Sequence, residues 1–299
     1  MERVGAWIAS IPPVTRYWSL LIVGLSIYSS FVPDKKMLLV FLPEKAFGTQ
    51  PWRLLTGFCY FGDFSIQLVI NMFLSLRSIR YVEQSYNSDS SLFPPFMMNG
   101  LSPNQRSKII LLKEMYQTLD FLYFMVQISF TILAIVTYGF YKFNLKIIYP
   151  GMILDDSILY IWSRTDPNMV VNLFGFLNLR IAYLPFIYVL LRSVLEKRFL
   201  QDLEKLLRFD MTVFQSMFAW KHLIAYGVGH LWWFMRYFLL PKLYANSNKL
   251  KSDERVKTLN QYRININKYK IMPDILRLIL LPPWYWIIMI DMKYNRRYL

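Results

Sequence analysis

Few side chains in the apolar parts of this sequence could carry out chemistry. Asp155 and Asp156 are adjacent inside an apolar run, and Ser157 follows them directly. His222 and His230 are the two histidines of the chain. A serine nucleophile, a histidine base and hydrogen-bond donors for an oxyanion together perform acyl transfer. These residue types therefore raise an intramembrane serine protease as one hypothesis.

Metal and redox chemistry have less support. Cys59 is the only cysteine, which excludes an intramolecular disulfide and a cysteine-based zinc site. Two histidines are a small ligand set, and the sequence has no nucleotide-binding loop. We therefore expect neither a metal nor another cofactor.

The composition is that of a membrane protein. Of 299 residues, 55% are hydrophobic and 18% aromatic, and the mean hydropathy is +0.29. The apolar residues form runs of roughly 17 to 25, the length that crosses a bilayer core. The net charge of +15 could indicate nucleic-acid binding, but the basic residues flank the apolar runs, where they set orientation and meet anionic lipids.

The pattern predicts an all-α membrane domain over residues 1–240 and a basic cytosolic tail over 241–299, with both termini in the cytosol. The connection up to Gly62 reads as an interfacial loop with short amphipathic helices, residues 85–113 as a solvated loop, and Leu278–Ile290 as an interfacial apolar patch. The predicted spans are Tyr17–Val32, Phe64–Leu76, Leu119–Tyr141, Ile147–Trp162, Leu173–Leu191 with a kink at Pro185, and a sixth within Val213–Leu240.

Polar residues inside these spans need partners. Adjacent carboxylates facing lipid would cost about 2.5 to 3.5 kcal/mol each, so Asp155 and Asp156 should be enclosed. Pairing with Arg180 is favoured over binding a polar substrate segment. Asn71 and His230 are expected to be buried hydrogen-bond partners, and His222 an interface residue. Ala225 and Gly229 form a small-xxx-small pattern that favours close helix packing.

Several motifs resemble derlin sequence, in the derlin order, over about residues 5 to 240. None is decisive alone, but the ordered set is specific. They are Ser10-Ile-Pro-Pro-Val-Thr-Arg-Tyr-Trp18, Leu42-Pro-Glu, Trp52-Arg53-Leu-Leu-Thr56, Asn71 with Glu83, Leu159-Tyr-Ile-Trp-Ser163, Tyr183-Leu-Pro185 and Gly229-His230-Leu-Trp-Trp-Phe234.

The resemblance implies a six-transmembrane-helix rhomboid-like bundle in the endoplasmic reticulum membrane, with a role in moving misfolded proteins out of that compartment. It implies as partners a membrane ubiquitin ligase complex with its adaptors, misfolded client polypeptides and membrane lipids. An AAA-type segregase ATPase would act indirectly, because the tail lacks the docking motif of some derlins. An active rhomboid-type protease and a structural or lipid-handling membrane protein remain alternatives.

The resemblance also assigns roles to residues. The rhomboid nucleophile's place falls at Gly151, which has no side chain, and an oxyanion-assisting histidine's place falls at Gln67. His222 stands close to the catalytic histidine's place, but a base without a nucleophile cannot perform acyl transfer. We therefore expect no enzyme activity. Trp52 and Arg53, on a lumenal first loop, would anchor it, distort the local bilayer and support a substrate gate.

The same resemblance implies a lateral opening between the second and fifth helices, in a bundle whose short helices thin the bilayer. Residues 64–76 would cover only about 20 Å at 1.5 Å per residue, well short of a hydrocarbon core of about 30 Å. A lumenal polypeptide would then cross a lower barrier.

Overall fold

The described part of the chain is mostly helical. A computed structural model describes residues 9–88, 92–98, 101–173, 175, 177–195, 220–241 and 267–294. The chain divides into two compact units. The first comprises the described residues within Met1–Ser85 and Met125–Leu231, and the second those within Tyr86–Phe124 and Trp232–Leu299. The predicted boundary at residue 240 stays a prediction, and residues 242–266 of the tail lie outside the described part.

The first half of the chain contains one long helix before the first loop and several short ones within it. The short length of the helices in the first loop agrees with the sequence, because its prolines interrupt any longer helix there. The helices are α1 (Pro13–Phe31), α2 (Lys36–Leu39), α3 (Pro43–Ala46), α4 (Arg53–Cys59), α5 (Ile66–Ser85), α6 (Pro95–Met98), α7 (Pro103–Met115) and α8 (Gln117–Phe143).

The second half begins with a helix that is buried along most of its length and continues through a hairpin. The elements are α9 (Pro150–Thr165), strands β1 (Val170–Leu173) and β2 (Leu177–Arg180), α10 (Leu184–Leu195), α11 (Trp220–Trp233) with a π-helical turn over Phe234–Leu239, α12 (Asn267–Leu280) and α13 (Pro283–Tyr294).

Helix α9 is central to the first unit. It contacts α4, α5 and α10, and only a few of its side chains reach the surface. Helix α5 also packs on α1, where the Glu83 carboxylate accepts hydrogen bonds from the backbone N–H groups of Val14 and Thr15 at 3.0 and 2.8 Å. A carboxylate at a helix N-terminus satisfies free N–H groups and complements the helix dipole.

The second predicted span was too short. The sequence places its end at Leu76, before the charged residues, whereas α5 continues to Ser85 and is about 30 Å long at 1.5 Å per residue. Arg77 and Arg80 lie within the helix, and Glu83 caps α1. The predicted bilayer thinning therefore cannot rest on a short second helix.

The prediction of a loop over residues 85–113 was wrong in its second half. Helix α7 begins there with a capping box, in which the Ser102 hydroxyl accepts from the Gln105 backbone N–H and the Gln105 side chain accepts from the Ser102 N–H. This Ser-Pro-x-Gln spacing is a sequence signal for a helix start.

The fifth predicted span was also wrong at its beginning. Val170–Leu173 and Leu177–Arg180 form an antiparallel pair of strands in which Val170 pairs with Arg180 and Leu173 with Leu177. Gly175 has a φ of 85°, in the left-handed region that glycine adopts without steric cost. Pro185 is the second residue of α10, where its missing N–H breaks no helical hydrogen bond, so it does not kink a span.

Among the described helices, α8 is long and apolar enough by itself to cross a membrane. Asp274–Leu280 and Pro283–Met292 pass the same test only as a pair, with a bend of 109° between them. The bend falls at Pro282-Pro283, which the sequence predicted to interrupt the apolar patch. The number of six spans stays a prediction.

Candidate functional site

A buried charged cluster lies within the first unit. Asp155 and Asp156 are both 3% exposed on α9, and Arg192 of α10 reaches both carboxylates. Its Nη1 donates to Asp156 Oδ1 and Oδ2 at 2.6 and 2.7 Å, and its Nη2 to Asp155 Oδ2 at 3.2 Å. The expected partner, Arg180, is instead exposed at the end of β2. Arg192 lies on a helix that packs against α9, whereas Arg180 lies on the exposed side of the hairpin.

Two further helices contribute to this carboxylate cluster, which we define as Ser75, Asp155, Asp156, Arg192 and His222. The Ser75 hydroxyl of α5 donates to Asp155 Oδ2. His222 of α11 lies with its Nδ1 3.0 Å from Asp156 Oδ2. The side chain of His222 is 4% exposed, so it is a member of the cluster and not the interface residue that the sequence predicted.

The cluster is not fully compensated. Two carboxylates, those of Asp155 and Asp156, face the one guanidinium of Arg192. Asp155 Oδ1 and Arg192 Nε are buried and have no hydrogen-bond partner in the part of the chain that the structure describes. Such a cluster joins four helices by charge-assisted hydrogen bonds, and breaking one partner leaves an uncompensated charge.

The Asp156–His222 contact resembles the carboxylate–imidazole half of a hydrolytic triad, in which the carboxylate orients the base. Ser157 is close in sequence, but its Oγ lies 2.7 Å from the Ile153 carbonyl oxygen and 2.9 Å from that of Ala225. The hydroxyl proton is thus directed to backbone acceptors, and the side chain is fully buried. This geometry joins α9 to α11 and does not present a nucleophile.

Gly151 lies in the first turn of α9, where backbone from the first loop approaches closely. A Cβ at this position would overlap the Phe58 carbonyl oxygen and come within 2.6 Å of the Phe61 ring. A serine here would require the backbone of α4 or α9 to move. The position that the resemblance assigns to a nucleophile therefore lacks a side chain, and the neighbouring atoms leave no room for one.

Ala225 and Gly229 lie where α11 approaches α9. Ala225 is fully buried, and a Cβ added at Gly229 would lie 2.8 Å from the Ser157 carbonyl oxygen. Gly227, on another side of α11, has open space within 4 Å. The small residues thus allow the backbones of the two helices to pack closely.

Of the two candidate residues in the first loop, Arg53 is buried and Trp52 is exposed. Arg53 is 1% exposed, and its guanidinium donates to Gln50 Oε1 at 2.5 Å and to the carbonyl oxygens of Met37 and Val40 at 2.5 and 2.7 Å. Arg53 therefore holds the first loop together from inside, whereas the sequence predicted that it would face the lipid. Trp52 is 49% exposed and remains the residue of the pair that could meet a membrane or client.

The remaining polar candidates, Gln67, Asn71 and His230, are not members of the carboxylate cluster. Asn71 is buried, Gln67 is half-buried, and His230 is exposed, contrary to its predicted burial. His230 Nδ1 lies 3.0 Å from the Tyr160 hydroxyl. Among the described residues, no group of three or more His, Cys, Asp or Glu is placed to hold a metal ion.

Sequence reasoning missed Arg192 and Ser75 as members of the cluster. Arg192 ends the fifth apolar run, where a basic residue usually marks the interface. One available signal was the unpaired Asp155-Asp156 dipeptide, which required a cation on a neighbouring helix. Spacing alone could not choose Arg192 over Arg180.

Comparison with known proteins identifies the class. A model of the Der1-like family matches residues 11–251, and the chain belongs to this family. It is 25% identical to Derlin-1 of Arabidopsis thaliana over 268 residues, covering 88% of this chain and 80% of that protein. It is 22% identical to Derlin-1.2 of Zea mays over 270 residues, covering 89% and 88%.

A third relative has a similar extent: Derlin-1 of Oryza sativa subsp. japonica is 25% identical over 268 residues, covering 89% of each chain. The predicted family is thus confirmed. The chain is a mostly helical, membrane-associated, rhomboid-like protein of the derlin type.

Proposed function

We propose that this chain is a non-catalytic component of endoplasmic-reticulum-associated degradation that assists the retrotranslocation of misfolded proteins. The observation that carries the proposal is membership of the Der1-like family over residues 11–251. In this proposal the chain is a multi-pass protein of the endoplasmic reticulum membrane, with six spans and both termini in the cytosol.

The absence of catalysis is part of the proposal. Support comes from Gly151, where neighbouring backbone leaves no room for a nucleophilic side chain, and from Ser157, whose hydroxyl faces backbone carbonyl oxygens. Asp156 and His222 then act as structural partners of Arg192. The competing protease hypothesis requires purified protein to cleave a transmembrane substrate and to lose that cleavage on Ser157→Ala.

The translocation step of the proposal uses a lateral opening between α5 and α10, which would admit the client. Local thinning of the bilayer would lower the barrier to crossing. Helix α9 covers about 24 Å, less than a hydrocarbon core of about 30 Å, but it is enclosed by its neighbours and does not itself set the thickness of the surrounding lipid. The energy would come from a cytosolic AAA-type ATPase, acting through a membrane ubiquitin ligase complex and its adaptors.

The test measures the turnover of a misfolded lumenal reporter in cells lacking the protein. Wild type, Trp52→Ala and Leu55→Ala are expressed at matched levels. Leu55 is a control because it is an exposed apolar residue on α4 next to Trp52. We expect wild type and Leu55→Ala to restore turnover, and Trp52→Ala to restore less than half of it.

The outcomes separate the parts of the proposal. If wild type fails to restore turnover, the retrotranslocation role is abandoned. If Trp52→Ala works as well as wild type, Trp52 is only an interface anchor. Arg53→Met is unsuitable as the sole probe, because it removes hydrogen bonds to Met37 and Val40 that hold the loop together.

A further inference from the structure

A cleft of about 430 Å³ lies in the first unit beside the second half of α5. This volume is within the usual range for small-molecule sites. One face of α5 forms much of its wall, since the lining residues recur at the spacing of a helix face. These residues are Phe73, Leu76, Arg77, Arg80, Tyr81 and Gln84.

The chemistry of this face changes along the helix. Phe73 and Leu76 are apolar, and Arg77 and Arg80 follow one turn later. The distance from residue 73 to residue 84 along the axis is about 16 Å at 1.5 Å per residue. A ligand lying along the face would therefore contact an apolar surface at one end and two guanidinium groups at the other.

The opposite wall is largely apolar. Trp162 of α9 and Val171 of β1 are buried and line the cleft, together with Ile11 and Met169. The Tyr81 ring packs on Trp162 with centroids 5.0 Å apart. These contacts hold the walls in place and offer a preformed surface to hydrocarbon.

The two arginines carry unmatched charge. Within the described residues, neither Arg77 nor Arg80 forms an ion pair, although Arg77 Nη1 donates to the Asn172 carbonyl oxygen. The carboxylates close to them in the chain or through Tyr81 bind other donors: Asp166 accepts a hydrogen bond from the Tyr81 hydroxyl at 2.7 Å, and Glu83 accepts from the N–H groups of Val14 and Thr15. Arg77 and Arg80 are thus the charged residues among those that line the cleft.

We propose that this cleft binds a phosphate-bearing membrane lipid, with Arg77 and Arg80 holding the phosphate and Phe73 and Leu76 contacting the acyl chain. Guanidinium groups bind phosphate oxygens through paired N–H donors. The fit depends on both halves of the ligand, because a free phosphate would leave the apolar walls uncovered. The proposal is independent of any role in degradation.

The test measures lipid binding to purified full-length protein in detergent by native mass spectrometry. Phosphatidic acid, phosphatidylinositol and phosphatidylcholine with identical acyl chains are compared. We expect the two anionic lipids to bind wild type about 30-fold more tightly than Arg77→Gln, Arg80→Gln, from the usual contribution of two basic residues. Arg77→Lys, Arg80→Lys should retain most of the binding.

The control variant loses the same net charge at a different place on the protein. Arg106→Gln, Lys108→Gln removes two exposed charges from α7 and should bind as wild type does. Equal losses in both double variants would overturn the proposal, because they would indicate nonspecific attraction. Unchanged binding by Arg77→Gln, Arg80→Gln would overturn it as well.

Two further arms distinguish a lipid from a free phosphate compound. Glycerol 3-phosphate should not displace bound phosphatidic acid at equal concentration, and Phe73→Ala should weaken lipid binding at least threefold. Displacement by glycerol 3-phosphate, or a Phe73→Ala variant that binds as wild type does, would overturn the assignment to a lipid. Thermal unfolding of each variant identifies any loss that comes from misfolding.

Discussion

The two units each bury aspartate, but they stabilise it differently. In the first unit Asp155 and Asp156 face the guanidinium of Arg192. In the second, Asp120 is fully buried and accepts three hydrogen bonds from neutral donors, with no direct ion pair among the described residues. The donors are Ser88 Oγ at 2.6 Å, Tyr285 Oη at 2.7 Å and Trp284 Nε1 at 3.0 Å.

The difference predicts how each site fails. Both carboxylates of the first unit share the one guanidinium of Arg192, so removing it leaves buried charge that the Ser75 hydroxyl and the His222 imidazole compensate only in part. A carboxylate held by several donors loses stability in smaller steps, because each donor supplies only part of the solvation. The Asp120 site also ties the start of α13 to the start of α8 within the second unit.

The largest effect is expected for Arg192→Met. This change leaves both carboxylates of the first unit buried without a cation, and should lower the free energy of unfolding by about 3 to 5 kcal/mol. Thermal unfolding in detergent micelles measures it. Arg164→Met is the control, because Arg164 is an exposed arginine on α9 and should change the free energy by less than about 0.5 kcal/mol.

A combined variant tests the cause. Adding Asp155→Asn and Asp156→Asn to Arg192→Met should recover part of the loss, since no unpaired charge remains. A combined variant that is less stable than Arg192→Met would mean that packing around Arg192, and not charge, determines stability there.

Tyr285→Phe should have a smaller effect on the second unit. It removes one of three donors to Asp120, and a hydrogen bond to a charged group contributes about 1.5 to 3 kcal/mol. Tyr116→Phe, in the same unit, is the control. The comparison between the two sites fails if Tyr285→Phe destabilises the protein as much as Arg192→Met does.

Gly229→Ala separates packing from charge in the first unit. The added Cβ would lie 2.8 Å from the Ser157 carbonyl oxygen and push α11, which carries His222, away from α9. We expect a loss of about 1 to 3 kcal/mol, typical of overpacking. Gly227→Ala meets open space and should instead stabilise α11 by up to about 1 kcal/mol.

Opposite signs for these two glycines in the same thermal unfolding assay would establish the close approach of α11 to α9. A destabilising Gly227→Ala would contradict this close approach, because the loss of stability would then follow from alanine at either position of α11.

The elements that could be predicted from the sequence are those whose ends depend on residues close in the chain. Helix α1 was predicted to end at Val32 and ends at Phe31, two residues before Pro33, and α8 extends only two residues beyond each predicted end. The approach of Ala225 and Gly229 to another helix also follows from their size. In each case a proline, a charge or a small side chain acts within one or two turns.

The parts that did not follow depend on partners distant in sequence. Glu83 lies beyond the predicted end at Leu76 and caps α1 through Thr15, which is 68 residues earlier. Arg192 is 36 residues from Asp156, and the spacing gave no reason to prefer it over Arg180. The predicted fifth span begins at Leu173, but Val170–Leu173 forms a strand whose partner follows Gly175, where the chain turns.

Cys59 provides a third case for the comparison, an ionisable group that is buried with no charged partner within the part of the chain that the structure describes. Burial disfavours the thiolate and raises the pKa of the Cys59 thiol from 9.0 to about 11. The folded state therefore binds this proton more tightly than the unfolded state. Its contribution to stability is complete below pH 9 and is lost as the pH rises towards 11.

Maleimide labelling measures this directly, because Cys59 is the only cysteine. We expect slow labelling of the folded protein at about pH 7.5, because the buried thiol is almost entirely protonated at that pH. Lys35→Cys in a Cys59→Ala background is the exposed first-loop control and should react promptly. Equal rates for the two thiols would mean that the first loop opens readily, and that the buried position of Cys59 does not protect it.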